Sequence, residues 1–195
     1  MLLIKVVIVF YYDELFLKED LCSYIINWFE ESWDNLPIDY KKVYRKTKCI
    51  MLNKLISNPD NVPNVFKKIW SDINYHGRKF DERAYVNHID IVKWPTGEKQ
   101  TTHKDVSIYN STSIVYLNDN FDGGETRVND MIIKPKTGKI ITFSGSEHEH
   151  EVFEVKNGNR YTIAAWYGND DSSNINSQSA AYKKAIQDQQ EYKNG

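Results

Sequence analysis

The spacing of apolar residues changes once along this chain, near residue 84, and that change limits the folds open to it. Before it, apolar positions recur at helical intervals. Residues 19–33 place Leu21, Cys22, Ile25, Ile26 and Phe29 on one stripe, and residues 63–73 do the same with Val65, Phe66, Ile69, Trp70 and Ile73. After it come short β-rich runs at 85–93, 113–118, 131–134, 139–143, 151–155 and 160–167. Turn signals separate them, among them Pro135-Lys-Thr-Gly138 and Asn157-Gly158. Helices first and strands afterwards predict an α+β fold, with N-terminal helices packed on one sheet of a jelly roll. Residues 6–10 read as a buried strand rather than a leader, because Lys5 interrupts the apolar run and no small-residue cleavage site follows. Within the irregular stretch 35–60, a helix is expected near 48–56.

A length of 195 residues suits one domain with a sizeable core. The expected division is a domain at 1–169, with a helical part at 13–80 and a jelly-roll core at 84–168. A polar tail follows at 170–195, with a short helix at 180–189. Cys22 and Cys49 cannot form a disulfide framework. A formal net charge of -2 gives no electrostatic reason to expect nucleic acid or an anionic membrane as partner. No segment approaches the ~20 apolar residues of a membrane span, so a cytoplasmic location is expected. Nothing in the sequence signals an oligomeric state.

The chemistry concentrates between residues 103 and 166. His103-Lys104-Asp105 offers two metal ligands, a set too small to hold an ion, so a third must come from elsewhere. Glu147-His-Glu-His-Glu151 supplies two rivals, His148 and His150. Two histidines and one carboxylate with open positions beside them form the facial triad of non-haem Fe(II) oxygenases. His-x-Asp alone is a weak signal, and a solvated surface pair is the commoner meaning of it. His76 and His88 have no motif around them and are assigned structural roles.

Taken together, Trp94-Pro-Thr-Gly97, His103-Lys-Asp105, Tyr116-Leu-Asn118, Gly123-Gly124, His150 and Arg160 resemble the Fe(II)/2-oxoglutarate dioxygenase superfamily, specifically its prolyl 4-hydroxylase branch. The family pattern is Tyr-x-x-Gly, His-x-Asp, Tyr-Leu-Asn with a following Gly-Gly, a distal His, and a basic residue about ten positions later. Trp94 departs from it by standing where the family has Tyr; an indole donates a hydrogen bond but cannot accept one. The resemblance implies a double-stranded β-helix core with His103, Asp105 and His150 on iron. It favours His150 over His148 through the spacing to Arg160. It further implies that Arg160, with Tyr116, clamps the far carboxylate of 2-oxoglutarate, a task suited to a planar guanidinium. Trp94 and Trp166 are expected to wall the co-substrate. Fe(II), 2-oxoglutarate and O2 are the implied cofactors, with ascorbate as an accessory reductant.

The implied reaction is hydroxylation of an unactivated C–H bond, foremost in a prolyl residue of a peptide or protein, with succinate and CO2 as co-products. A free amino acid or other small molecule is the alternative substrate, and a non-catalytic metal-binding or interaction module is the alternative function. Asp105 argues against the related halogenases, which have a small residue there. The absence of an arginine after Arg160 argues against the alkylated-base demethylases. Strand parity adds a test. A strict two-residue hairpin at Asn157-Gly158 would turn Arg160 away from His150. A three-residue loop with Gly158 left-handed would pair Lys156 with Arg160 and set His150 opposite Trp166.

Overall fold

The computed structural model describes residues 10–57 and 62–169. Thirteen strands run in chain order: β1 (Phe10–Asp13), β2 (Lys41–Tyr44), β3 (Thr47–Met51), β4 (Ala84–Pro95), β5 (Gln100–His103), β6 (Ser111–Tyr116), β7 (Asp122–Gly123), β8 (Thr126–Val128), β9 (Met131–Ile133), β10 (Ile140–Phe143), β11 (His150–Val152), β12 (Val155–Asn157) and β13 (Asn159–Asn169). The helices are α1 (Glu19–Trp33), α2 (Leu52–Ile56) and α3 (Asn64–Phe80). A major sheet in the order β1-β10-β6-β13-β4-β3-β2 faces a minor sheet in the order β5-β11-β8-β9. Four strands of each sheet form a double-stranded β-helix. A short β12-β7 ribbon stands apart from both.

Alternation along β13 shows how the layers are filled. Tyr161, Ile163, Ala165 and Tyr167 point to the helical side and join a core containing Cys22, Ile25 and Phe29 of α1 and Phe66, Ile69 and Ile73 of α3. Each of the Ile and Phe side chains, once buried, contributes about 1.5–3 kcal/mol. Two hydroxyls fix the helices to the strand: Tyr161 donates to Glu30 Oε1 of α1 (2.8 Å), and Tyr167 donates to the Ile73 carbonyl of α3 (3.0 Å). The opposite face of β13 carries Arg160, Thr162, Ala164 and Trp166 into the space between the sheets. There a second, smaller apolar cluster of Tyr116, Val128, Ile133, Ile141 and Phe143 fills one end.

Gly77 shows how tightly α3 lies on the sheet. A β-carbon at this position would enter the Tyr167 ring. Gly77→Ala therefore reverses the usual preference for Ala in a helix. We expect it to destabilise the protein by about 1–3 kcal/mol, as overpacking does, visible as a lowered thermal midpoint.

Several expectations need correction. Residues 48–51 are strand, paired to β4, and only Leu52–Ile56 is helical. The N-terminal part is thus not purely helical, since β1, β2 and β3 all extend the major sheet. Of the strand expected at 6–10 only Phe10 is described, within β1; the tail and its expected helix lie outside the described residues. The run 151–155 divides into β11 and β12. The expected hairpin does not form, because β12 pairs with β7 rather than β13, so Lys156 does not oppose Arg160. Gly158 is left-handed as expected (φ 81°), but it moves the chain from the ribbon to the major sheet. His150 pairs with His103 and Val128 and belongs to the sheet facing Trp166.

Candidate metal and co-substrate site

His103 and His150 are direct cross-strand partners on β5 and β11, which brings their rings to 4.2 Å between centroids. Both are oriented by the same device. His103 Nδ1 meets the Thr101 carbonyl at 2.9 Å, and His150 Nδ1 meets the His148 carbonyl at 3.0 Å. A carbonyl only accepts, so each Nδ1 carries the proton and each Nε2 presents its lone pair. That is the tautomer a metal ligand needs.

Asp105 does not continue β5. It lies in the following loop, where its N–H donates to the Gly145 carbonyl (2.9 Å). Asp105 Oδ1 stands 3.6 Å from His150 Nε2 and 3.9 Å from His103 Nε2. Its Oδ2 accepts from the Thr112 hydroxyl. Burial alone would raise the Asp105 pKa. The Thr112 hydroxyl and, when their rings are protonated, hydrogen bonding and charge from His150 and His103 act the other way and lower it. Ligand atoms of the three residues all lie within 4.8 Å of one another. Neighbouring ligands on an ion with bonds of ~2.1 Å sit about 3 Å apart, so small side-chain rotations close the set around one cation. His148 is excluded by position, since it precedes β11 and bonds to Asn129 Nδ2 (3.0 Å).

The cluster opens on a cavity of about 210 Å³ between the sheets, whose wall includes Trp94, Thr126, Arg160 and Trp166. Arg160 enters it from β13 opposite Trp94 and is only 1% exposed. No carboxylate among the described residues lies within ion-pair distance of it. Its Nη2 donates to Thr126 Oγ1 (3.2 Å), and the Tyr116 hydroxyl donates to the same oxygen (2.7 Å). Both lone pairs of Thr126 are thereby used, which leaves its proton free to donate into the cavity. Arg160 Nε and Trp94 Nε1 are buried donors without an acceptor among the described residues. Burial pulls the Arg160 pKa below its usual value and pushes that of Tyr116 above it; at neutral pH the first stays charged and the second protonated. A buried cation ringed by donors, with no carboxylate beside it among the described residues, is a site for an anion such as a carboxylate.

Sequence reasoning missed Thr126 and Thr112. A threonine in a β-rich run carries no signal beyond strand propensity, and only the fold shows which hydroxyl faces a ligand. Tyr44, Thr47 and Cys49 of β2 and β3, which no motif singles out, wall the cavity as well. His88, assigned a structural role, lies against Trp166 of the cavity wall (5.3 Å between centroids).

Comparison with known proteins agrees with this geometry. Residues 74–168 match the profile of the 2OG-Fe(II) oxygenase superfamily. The chain belongs to that superfamily. As a 2OG-Fe(II) oxygenase, it is 41% identical over 64 residues to mouse prolyl 3-hydroxylase 2, a match covering 29% of this chain but 9% of that protein's length. The fold of this oxygenase resembles a Trichoplax adhaerens prolyl hydroxylase solved with a hypoxia inducible factor peptide fragment. That likeness has TM-score 0.63 and 15% identity, and covers 86% of this chain and 87% of the other. It also resembles the viral collagen prolyl hydroxylase of Paramecium bursaria Chlorella virus 1 solved with 2-oxoglutarate, at TM-score 0.59 and 18% identity, covering 83% and 96%. Membership implies Fe(II) and 2-oxoglutarate as cofactors, and the donor set described above fits both.

Proposed function

We propose that this chain is an Fe(II)- and 2-oxoglutarate-dependent hydroxylase acting on an unactivated C–H bond, foremost in a prolyl residue of a peptide or protein. The observation that carries this reading is the union of a three-ligand cluster and a carboxylate-seeking Arg160 in one buried cavity. When bound, iron and co-substrate supply the oxidising chemistry, with succinate and CO2 as co-products and ascorbate as an accessory reductant. The chain's own residues do the rest. His103, Asp105 and His150 hold the ion; Thr112 keeps the Asp105 carboxylate ionised and aimed. Arg160, Thr126, Tyr116 and Trp94 bind the far carboxylate of 2-oxoglutarate and fix its orientation. Phe143 packs against His150 (4.9 Å between centroids) and keeps water from that side of the cluster. Trp166 walls the substrate end. The peptide substrate is supported by the names of the relatives, which are prolyl hydroxylases.

The test is an anaerobic titration with Fe(II) and 2-oxoglutarate, followed by exposure to air with proline-containing peptides. A weak visible charge-transfer band, then a peptide mass gain of one oxygen with matching succinate, is the expected result. No band in the wild type would leave the cavity as the ligand site of a non-catalytic module.

A further inference from the structure

Asp90 is a carboxylate of the cavity wall that neither the metal cluster nor the co-substrate floor uses. It sits on β4 opposite Ala164 of β13 and is 5% exposed. The next inward rung pairs Trp166 with Thr112, the residue that holds Asp105. Two strand spacings and one two-residue step separate Asp90 from Thr112, about 12 Å between their backbones. Asp90 thus lines the same cavity as Ala164, Trp166 and the metal cluster.

Its surroundings are those of a cation site. Among the described residues Oδ1 accepts no well-directed hydrogen bond, although His88 Nε2 lies 3.0 Å away. Lys42 Nζ stands 3.9 Å from Oδ2, beyond hydrogen-bond reach, and 3.4 Å from His88 Nε2. An ammonium only donates, so the His88 nitrogen that it approaches presents a lone pair. Asp90 Oδ1 and His88 Nε2 thus lie side by side, with the Lys42 ammonium within ion-pair distance of Asp90 Oδ2. Lys42 is an exposed residue on the outermost strand, β2, with no shorter hydrogen bond or ion pair among the described residues. The negative field reaches further into the cavity: Cys49 has its thiol pushed up to about 12, first by burial and then by the charge of Asp90.

We infer that Asp90, with His88, is a specificity-determining site that selects substrates carrying a protonated nitrogen close to the hydroxylated carbon, and that Lys42 occupies its edge until such a substrate arrives. This inference rests on the hydroxylase reading. The chemistry is shared by two sources, a basic side chain flanking the target residue in a peptide and the ammonium of a free amino acid.

Calorimetric titration under argon of protein loaded with Fe(II) and 2-oxoglutarate tests it, loading being verified by the charge-transfer band. The probes are short prolyl peptides with Lys, Ala or Glu beside the proline, together with free L-proline and L-lysine. The expected result is a preference of about tenfold or more for Lys over Glu peptides, or for the free amino acids over the Ala peptide. Whichever set is favoured names the source. Asp90→Asn is expected to erase the preference, and Lys42→Met to tighten the cationic probes. Equal affinity across the probes, a preference that survives Asp90→Asn, or no binding of any cationic probe would overturn the inference. If no band forms, the hydroxylase reading fails by itself, and the same titrations on metal-free protein still decide whether Asp90 selects a cation.

Discussion

Arg160→Met is expected to raise the Kd for 2-oxoglutarate on the Fe(II)-loaded protein by about two to three orders of magnitude, with little change in affinity for the metal. Losing one partner of a buried, hydrogen-bonded charge pair costs about 2–5 kcal/mol, and each 1.4 kcal/mol is a factor of ten. The side chain is buried, faces no carboxylate among the described residues, and shares Thr126 with Tyr116. Met keeps much of the length and fills the same space. Stability is expected to move the other way. Without ligand, Arg160 is an uncompensated buried charge, and replacing it with an apolar side chain relieves that desolvation. A thermal midpoint that is unchanged or higher, beside a co-substrate Kd that is far weaker, separates a ligand clamp from a structural arginine. A Kd within about threefold of wild type would remove Arg160 from the site. Trp94→Phe loses only one neutral donor and is expected to weaken co-substrate binding by about two- to tenfold.

How far this arrangement could be read from the chain depends on whether a residue's role follows from its type and spacing or from what the fold sets opposite it. His103, Asp105, His150 and Arg160 are conspicuous by chemistry, and the resemblance fixed their order. The structure brings them to one cavity, and its geometry favours His150 over His148. Alternation along β13 was equally legible, because a half-buried strand must divide its residues between two faces. Parity across Asn157-Gly158 was not. That argument assumed a hairpin, whereas β12 takes its partner from β7, more than thirty residues earlier, and no local signal encodes a distant pairing. Strands β2 and β3 were hidden for a related reason. Lys41-Lys-Val-Tyr44 shows no apolar alternation, because an edge strand at a cavity mouth needs none. Thr112, Thr126 and Asp90 are ordinary residues by type, and their importance comes from neighbours that are remote along the chain.

The same dependence makes Gly145 a sensitive position. A β-carbon there would fall on Asp105 Oδ2 and close to Thr112 Oγ1, the two atoms that aim the carboxylate at the histidines. Gly145 has no left-handed backbone angle, so its demand for glycine comes from space rather than conformation. Gly145→Ala must therefore move the Asp105 carboxylate, the loop carrying it, or both, since the Asp105 N–H is bonded to the Gly145 carbonyl. Fe(II) affinity is expected to fall by more than 100-fold, as if the ligand had been removed. Thr112→Val leaves the space open but takes away the hydroxyl, and is expected to cost about 10–100-fold, as loss of a hydrogen bond to a metal ligand does. Anaerobic Fe(II) binding followed by the charge-transfer band measures both, with thermal melting as the control for folding. The decisive comparison is with Asp105→Ala. If Gly145→Ala melts like wild type and matches Asp105→Ala in metal affinity, the glycine serves the carboxylate. If it binds Fe(II) as well as wild type, Asp105 does not depend on this cradle, and the geometry of Oδ1 must be set by the histidines alone.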